Sequence, residues 1–168
     1  GMNAIYEVLC SMLDPGDEVL VQDPQWVNHR QQVSLAGGVP VSVPVYEKNN
    51  WELTAADIEK AITPRTKVLL INSPNNPTGA VLTQQSLEQI AQVVKKHDLF
   101  VISDEVYCTL VYDDVHRSIA AIDGMKERTA VINSFSKAFA MTGWRVGYTA
   151  APKELIAKEV CVQENVNA

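Results

Sequence analysis

The 168-residue sequence lacks the features that mark several large classes of protein. No apolar run approaches the roughly 18 residues that a membrane-spanning helix requires, and the amino terminus does not resemble a signal peptide. Basic residues are the minority, with 14 Lys and Arg against 20 Asp and Glu, which disfavours general binding to a nucleic-acid backbone. We therefore expect neither a membrane nor a nucleic-acid partner, and any phosphate site has to be local.

Cysteine is scarce, and its placement does not suggest a disulfide framework. Cys10, Cys108 and Cys161 are odd in number, far apart and outside any C-x-x-C pair, so we expect free thiols and a cytoplasmic location. The sequence contains neither a G-x-G-x-x-G nor a P-loop motif. Because no pair of histidines has the spacing of metal ligands, we expect no metal site.

What the sequence does contain is enough apolar residues for a full core. It is 46% hydrophobic and 20% charged, which excludes an intrinsically disordered chain. The first two residues, Gly1-Met2, resemble the remnant of a protease cleavage followed by a start methionine. In that interpretation the natural chain starts at Met2; the alternative is that Gly1 is native and the chain has been cut from a longer one.

Short apolar strands alternate with helical patterns along the chain. Helices are predicted where Ile5, Val8, Leu9 and Met12 share one face, and again after Thr54 and Thr83. Strands are predicted at 19–21, 39–45, 67–71, 99–102, 129–132 and 146–150. Continuous apolar strands separated by helices indicate the α/β class, a mostly parallel sheet with helices on both faces.

Polar side chains follow four of these strands. They lie in the segments 23–26 (DPQW), 72–79 (NSPNNPTG), 103–107 (SDEVY) and 133–137 (NSFSK). In an open α/β sheet the ligand binds at the carboxyl ends of the strands, and Arg145, just before the last strand, can return to that edge. The set suits a flat anionic cofactor that has a ring nitrogen and a carbonyl group.

Three of the motifs identify a family. NSPNNPTG, SDEVY and SFSKAFAMTGWRVGY (134–148) closely resemble the class I and II pyridoxal-phosphate aminotransferases of fold type I, nearest the aspartate and aromatic branch. DPGDEVLV (14–21) and the segment 61–81 are also similar, so the resemblance covers essentially the whole chain. It implies that residues 1–168 are the family's large, cofactor-binding domain, without the N-terminal segment and the C-terminal small domain.

The resemblance assigns the two central roles to Lys137 and Asp104. Lys137 matches the lysine that forms a Schiff base with pyridoxal 5'-phosphate and later moves a proton; the alternative is a solvated lysine at a helix start. Asp104 matches the aspartate that keeps the ring nitrogen protonated. A helix cap is the alternative role of Asp104. Glu105, the next residue, is the alternative carboxylate for the ring nitrogen.

Two further side chains match the residues that hydrogen-bond the cofactor's phenolic oxygen. These are Asn76 and Tyr107, which would stabilise negative charge on that oxygen. The alternatives are a turn residue before Pro77 and a half-buried aromatic at a strand end. The family also implies cis peptide bonds before Pro77 and Pro24.

The phosphate would be held by residues from the two ends of the chain. Arg145, Ser134 and Ser136 match the family's clamp, in which arginine offers a planar fork and the hydroxyls lie where a helix begins. Ser136 also suits a helix cap. Gly1 and Met2 fall where the family uses two backbone amides for the same phosphate.

Trp26 matches the aromatic residue that stacks on the ring, with a core tryptophan as the alternative. His29 falls where some members place a histidine bonded to the ring-nitrogen aspartate; a packing histidine is equally compatible. His97 and His116 are interpreted as structural.

The resemblance implies an enzyme that transfers an amino group from an α-amino acid to a 2-oxo acid by a ping-pong mechanism, as a homodimer. The family's substrate-binding arginine comes from the second domain and has no match here. Two alternatives stay open: a truncated, catalytically silent domain, and a related enzyme such as a β-lyase. The S-x-x-K pattern at 134–137 is rejected as an acyl-transfer site because its companion motifs are missing.

Overall fold

The computed structural model describes residues 1–166, and their strands form a six-stranded sheet in the order β2-β1-β3-β4-β5-β6. The strands are β1 Glu18–Asp23, β2 Val39–Pro44, β3 Thr66–Asn72, β4 Phe100–Asp104, β5 Thr129–Ser134 and β6 Gly147–Ala150. The first five run parallel, and β6 pairs antiparallel with β5. All six predicted strands are present, and the α/β class is confirmed.

Within residues 1–166, six α-helices precede, connect or follow the strands. They are α1 Met2–Met12, α2 Asn28–Leu35, α3 Ala55–Ala61, α4 Gln84–Lys96, α5 Phe135–Ala138 and α6 Lys153–Val166. Short 3-10 turns occur at Glu47–Asn49, Ile119–Ala121, Lys126–Arg128 and Thr142–Trp144. Thr54 and Thr83 cap α3 and α4 through their side chains, as the sequence predicts. The sequence also predicts a helix over 154–168 that leads out of the domain. It is present as α6, and residues 167 and 168 lie outside the described residues.

Each face of the sheet carries its own apolar core. On one face Leu20, Leu69 and Ile71 pack with α3 and α4. On the other face Val19, Val21, Val68 and Leu70 pack with α1, α2 and the start of α6. Alternate residues of β1 and β3 thus enter opposite cores, which is why both strands are continuously apolar.

Three features differ from the expectations or add to them. Helix α2 was not predicted, and β6 reverses direction. The bonds before Pro24 and Pro77 are cis as expected, and the bond before Pro74 is cis as well. Within residues 1–166, no helix combines the length and the apolar character needed to cross a membrane.

Candidate functional site

A cavity of about 290 Å³ opens at the carboxyl edge of the sheet. All ten residues that the resemblance assigns to the cofactor site line it: Gly1, Met2, Trp26, Asn76, Asp104, Tyr107, Ser134, Ser136, Lys137 and Arg145. Four residues to which the resemblance gives no role complete the wall: Ile5, Asn72, Val106 and Thr142. One cavity therefore brings together groups from the whole length of the chain.

The sheet topology explains the convergence. Strands β3, β4 and β5 are parallel neighbours, with Asn72 beside Asp104 at their carboxyl ends. Arg145 precedes the antiparallel strand β6, whose Gly147 pairs with Ser134. The reversal of β6 therefore returns Arg145 to the edge where the parallel strands end.

Asp104 is a buried carboxylate, 5% exposed. His29 Nε2 lies 3.3 Å from its Oδ2, and the Val106 backbone N–H donates to its Oδ1 at 3.2 Å. No helix begins at Asp104, which excludes the helix-cap alternative, and the predicted contact of His29 is present. A buried carboxylate that accepts two hydrogen bonds at the cavity wall is suited to bind a cationic ring nitrogen.

Glu105, the positional competitor of Asp104, does not line the cavity. Its carboxylate accepts hydrogen bonds from Ser103, His116 and Ser118. These bonds occupy both of its oxygens, so Asp104 is the carboxylate that faces the cavity.

Two donors lie together at another part of the wall. Asn76 Nδ2 is 3.4 Å from the Tyr107 hydroxyl. Asn72 holds Asn76 in place, because its Oδ1 accepts from the Asn76 N–H at 2.8 Å while its Nδ2 donates to the Asp104 carbonyl at 3.1 Å. Asn72 is therefore a positioning residue that sequence reasoning missed, although its place at the end of β3 is a usable signal.

Ser134, and not Ser136, caps the short helix that carries Lys137. The Ser134 Oγ accepts from the Ser136 N–H at 3.1 Å and donates to the Val146 carbonyl at 3.2 Å. The cap considered for Ser136 is thus wrong, and its hydroxyl stays available at the cavity wall. Lys137 is exposed, and its amine has no hydrogen bond or ion pair with residues 1–166, so no partner has to be displaced when a ligand approaches.

Arg145 adopts a left-handed backbone conformation, with φ of 56°. Its Nη1 donates to the Thr142 carbonyl at 2.8 Å, which leaves the other guanidinium N–H groups unbonded within residues 1–166.

Gly1 packs closely against β6: a Cβ on Gly147 would collide with the Gly1 nitrogen. Burial lowers the pKa of the Gly1 amino group, a shift that Asp104 opposes and Arg145 reinforces.

Trp26 is half-buried and lies edge-on to the His29 ring, with centroids 5.4 Å apart and planes at 87°. The other two histidines do not line the cavity. His97 lies 3.3 Å from Glu59, and His116 lies 2.9 Å from Glu105. Within residues 1–166, no group of three or more His, Cys, Asp or Glu side chains is arranged to hold a metal ion.

The cavity therefore offers four kinds of chemistry in one place. A buried carboxylate suits a cation, paired amide and phenol donors suit an oxyanion, and an arginine with two serines suits a phosphate. An amine that can attack a carbonyl completes the set.

Comparison with known proteins agrees with this geometry. Residues 1–167 match the family model described as aminotransferase class I and II. An aromatic-amino-acid aminotransferase from Thermococcus litoralis is 52% identical over 156 residues, and an aspartate aminotransferase from Pyrococcus abyssi is 53% identical over 156 residues. Each alignment covers 92% of the chain but 40% of the relative, so the chain spans about two fifths of these curated relatives' length.

Solved structures share the fold. The aromatic aminotransferase from Pyrococcus horikoshii matches with a TM-score of 0.96 and 50% identity, over 99% of the chain and 45% of that protein. The Thermus thermophilus aspartate aminotransferase with maleate matches with a TM-score of 0.94 and 42% identity, over 98% of the chain and 42% of that protein.

Proposed function

The chain belongs to the class I and II aminotransferases, and from that premise we propose that it is the cofactor-binding large domain of a pyridoxal-phosphate-dependent aminotransferase. The observation that carries the proposal is the cavity in which Lys137, Asp104, Tyr107 and Arg145 meet. In this proposal the N-terminal segment and the C-terminal small domain of the family lie outside the chain.

The donor set of the cavity fits pyridoxal phosphate group by group. Asp104 is buried and would bind the protonated ring nitrogen, while Asn76 and Tyr107 would donate to the phenolic oxygen. Arg145, whose guanidinium keeps free N–H groups, would bind the phosphate with Ser136. Ser134 would join them by turning its hydroxyl proton from the Val146 carbonyl to the phosphate. The amino group of Gly1 and the backbone amide of Met2 would add to that clamp. Trp26 would cover one face of the ring.

Each residue contributes a defined step to the proposed chemistry. When bound, pyridoxal phosphate supplies a carbonyl group and an electron-withdrawing ring. Lys137 would hold the cofactor covalently, and its amine would serve to move the proton at the substrate α-carbon. Asp104 would keep a proton on the ring nitrogen, and His29, 3.3 Å from its Oδ2, would help to hold the Asp104 carboxylate in place.

The proposed reaction moves an amino group from an α-amino acid to a 2-oxo acid in two half-reactions. Relatives named as aromatic and aspartate aminotransferases support this substrate class. A homodimer is also proposed, supported by large exposed apolar side chains such as Trp144, which is 72% exposed, and Phe139, which is 62% exposed.

A capture experiment tests the proposal. The purified chain is mixed with pyridoxal phosphate, its near-ultraviolet and visible spectrum is recorded, and borohydride reduction is followed by peptide mass mapping. We expect a reduced pyridoxyl adduct on Lys137. Lys137→Ala should lose the adduct, whereas Lys153→Ala, which removes an exposed lysine at the start of α6, should keep it.

The same experiment separates the alternatives. An absent adduct, or one scattered over surface lysines, would favour a catalytically silent domain. If the adduct forms, incubation with amino acids distinguishes an aminotransferase, which yields a 2-oxo acid and aminated cofactor, from a β-lyase, which releases ammonia.

A further inference from the structure

A buried polar cluster lies next to the cavity and is used by none of the steps above. Its centre is Glu105, 6% exposed. The Glu105 Oε1 accepts from the Ser103 hydroxyl at 3.0 Å and from the Ser118 hydroxyl at 2.6 Å, and its Oε2 accepts from His116 Nε2 at 2.9 Å. The other ring nitrogen of His116 has no partner within residues 1–166, so the Glu105 bond is what orients the ring.

The cluster joins the two ends of one loop, residues 107–118. At the first end, the Glu105 N–H donates to the Ile132 carbonyl of β5 at 2.9 Å, and the Leu110 N–H donates to the Tyr107 carbonyl at 2.8 Å. At the second end, His116 and Ser118 bond the Glu105 side chain. Between the two ends the loop is open to solvent, with Tyr112 89% exposed.

Tyr107, which lines the cavity, is the first residue of this loop. Its hydroxyl lies 3.4 Å from Asn76 Nδ2, a distance at which a small displacement breaks the contact. The loop itself contributes little packing at its tip, so its conformation depends on the two anchored ends.

We propose that His116 is a positioning residue for the cofactor site: its hydrogen bond to Glu105 fixes the returning arm of the 107–118 loop and thereby holds the Tyr107 hydroxyl beside Asn76. This inference rests on the proposed function, because it assigns Tyr107 to the phenolic oxygen of pyridoxal phosphate. Loss of the His116 donor leaves one oxygen of a buried carboxylate without a partner, which favours opening of the loop.

Displacement of the Tyr107 hydroxyl should be visible in the absorption spectrum of the bound cofactor. A hydrogen bond from Tyr107 stabilises negative charge on the phenolic oxygen, so its loss raises the pH midpoint at which the absorbance of Lys137-bound cofactor changes. A hydrogen bond of ordinary net strength corresponds to a shift of about 0.5 to 1 pH unit.

The test compares five variants of the chain loaded with pyridoxal phosphate. H116F should raise the midpoint by about 0.5 to 1 unit, as should Y107F, whereas H116Q should restore the wild-type midpoint because its amide N–H replaces Nε2–H. H116F combined with Y107F should shift no further than Y107F alone. H97F is the matched control, because His97 also pairs with a glutamate, Glu59, but away from the cavity.

Hydrogen exchange of the cofactor-free chain gives a second readout. H116F should speed exchange of the Leu110 amide at least several-fold, and H116Q should not. Where H116F does not fold, S118A, which removes one donor to Glu105, should shift both readouts in the same direction by less.

Three results overturn the inference: an unchanged midpoint in H116F, a shift in the H97F control of the same size, or additive shifts in the double variant. If the wild-type chain takes up no cofactor, the proposed function fails and the cofactor role of His116 fails with it. Faster exchange in H116F would then still show that His116 holds the loop, so the two failures are distinguishable.

Discussion

Asp104 illustrates how hydrogen bonds hold a buried carboxylate in place inside the fold. The carboxylate lies at the end of β4, where His29 from α2 and the Val106 N–H both bond it. Such bonds to a charged group contribute about 1.5 to 3 kcal/mol each. The carboxylate is therefore oriented before any ligand arrives, which suits it to bind a protonated ring nitrogen.

Asp104→Asn removes the charge and keeps the shape. We expect the Kd for pyridoxal phosphate to rise roughly 10- to 100-fold, because a charge-assisted hydrogen bond is replaced by a neutral one. Fluorescence titration measures the affinity. Asp14→Asn, at an exposed aspartate away from the cavity, is the control, and an equal loss in both variants would contradict the assignment.

Substitutions of Arg145 should distinguish binding of the cofactor's phosphate from binding of its ring. Arg145→Ala should weaken pyridoxal phosphate roughly 10-fold or more and leave the affinity for pyridoxal, which has no phosphate, unchanged. Arg145→Lys should recover part of the loss, since lysine supplies the charge without the planar fork. Equal losses for both ligands would show that Arg145 supports the fold and not the phosphate.

At this scale the sequence indicated the wall of the cavity well, because the motifs are dense in reactive side chains. It was less informative about residues that act by holding others. Asn72 and Glu105 are polar residues at strand ends whose partners are 32 and 11 residues away, and those pairings exist only after folding. The roles of the lining residues toward a cofactor stay predictions.

Among the elements, the contact between α1 and α6 contains an unfavourable charge. Burial raises the pKa of Glu159 above its ordinary 4.5, nearby Glu7 raises it further, and a hydrogen bond from Thr149 opposes the shift. The Glu159 Oε1 has no hydrogen-bond partner within residues 1–166. Ionising Glu159 therefore costs the folded state free energy.

The sign of this effect fixes a pH dependence. Because the folded-state pKa is raised, the penalty begins above pH 4.5 and is complete once the pH exceeds the folded-state pKa. Glu159→Gln should therefore raise the free energy of unfolding at neutral pH and have little effect below pH 4.5. Urea denaturation at several pH values measures this, and a destabilised variant at neutral pH would contradict it.

At the start of β1, in contrast, the pKa of a buried carboxylate is lowered. Hydrogen bonds from Thr63 and Arg65 lower the pKa of the buried Glu18 carboxylate and tie β1 to the turn before β3. Its stabilisation is complete above pH 4.5 and disappears as the pH falls through the lowered folded-state pKa.

Glu18→Gln should accordingly cost about 1 to 3 kcal/mol of unfolding free energy at neutral pH. The difference from wild type should shrink as acid protonates the wild-type carboxylate. Urea denaturation across pH 3 to 7 provides the check, and a loss of stability that is independent of pH would indicate a packing effect instead.

Helix α2 and strand β6 show why the sequence predicted only part of the fold. Helix α2 escaped prediction because two of its three buried residues, His29 and Gln32, are polar, so no apolar periodicity is visible. Strand β6 was located, but its direction was not. The connection 135–146 carries a helix of four residues, which is too short for the crossover that a parallel strand requires.

For the whole molecule, cofactor binding should be visible as thermal stabilisation. A ligand at about 100 times its Kd stabilises the folded state by about 2.7 kcal/mol, which for a chain of this size corresponds to a rise in Tm of about 5 to 11 °C. Calorimetry with and without pyridoxal phosphate measures the shift. Pyridoxine phosphate, which has no carbonyl to react with Lys137, should give a smaller rise, and an equal rise would argue against covalent capture.

The reversal of β6 also has a consequence for the order in which the chain folds. Lys137 and Arg145 lie in the single connection between β5 and β6, which pairing of these strands closes as a loop of about a dozen residues. Asp104 and Asn76 reach the same edge only after long crossovers. Because a short loop closes at lower entropic cost and faster, the amine and the guanidinium come together as a local unit. In refolding we therefore expect the part of the cavity wall that carries Lys137 and Arg145 to form before the part that carries Asp104 and Asn76.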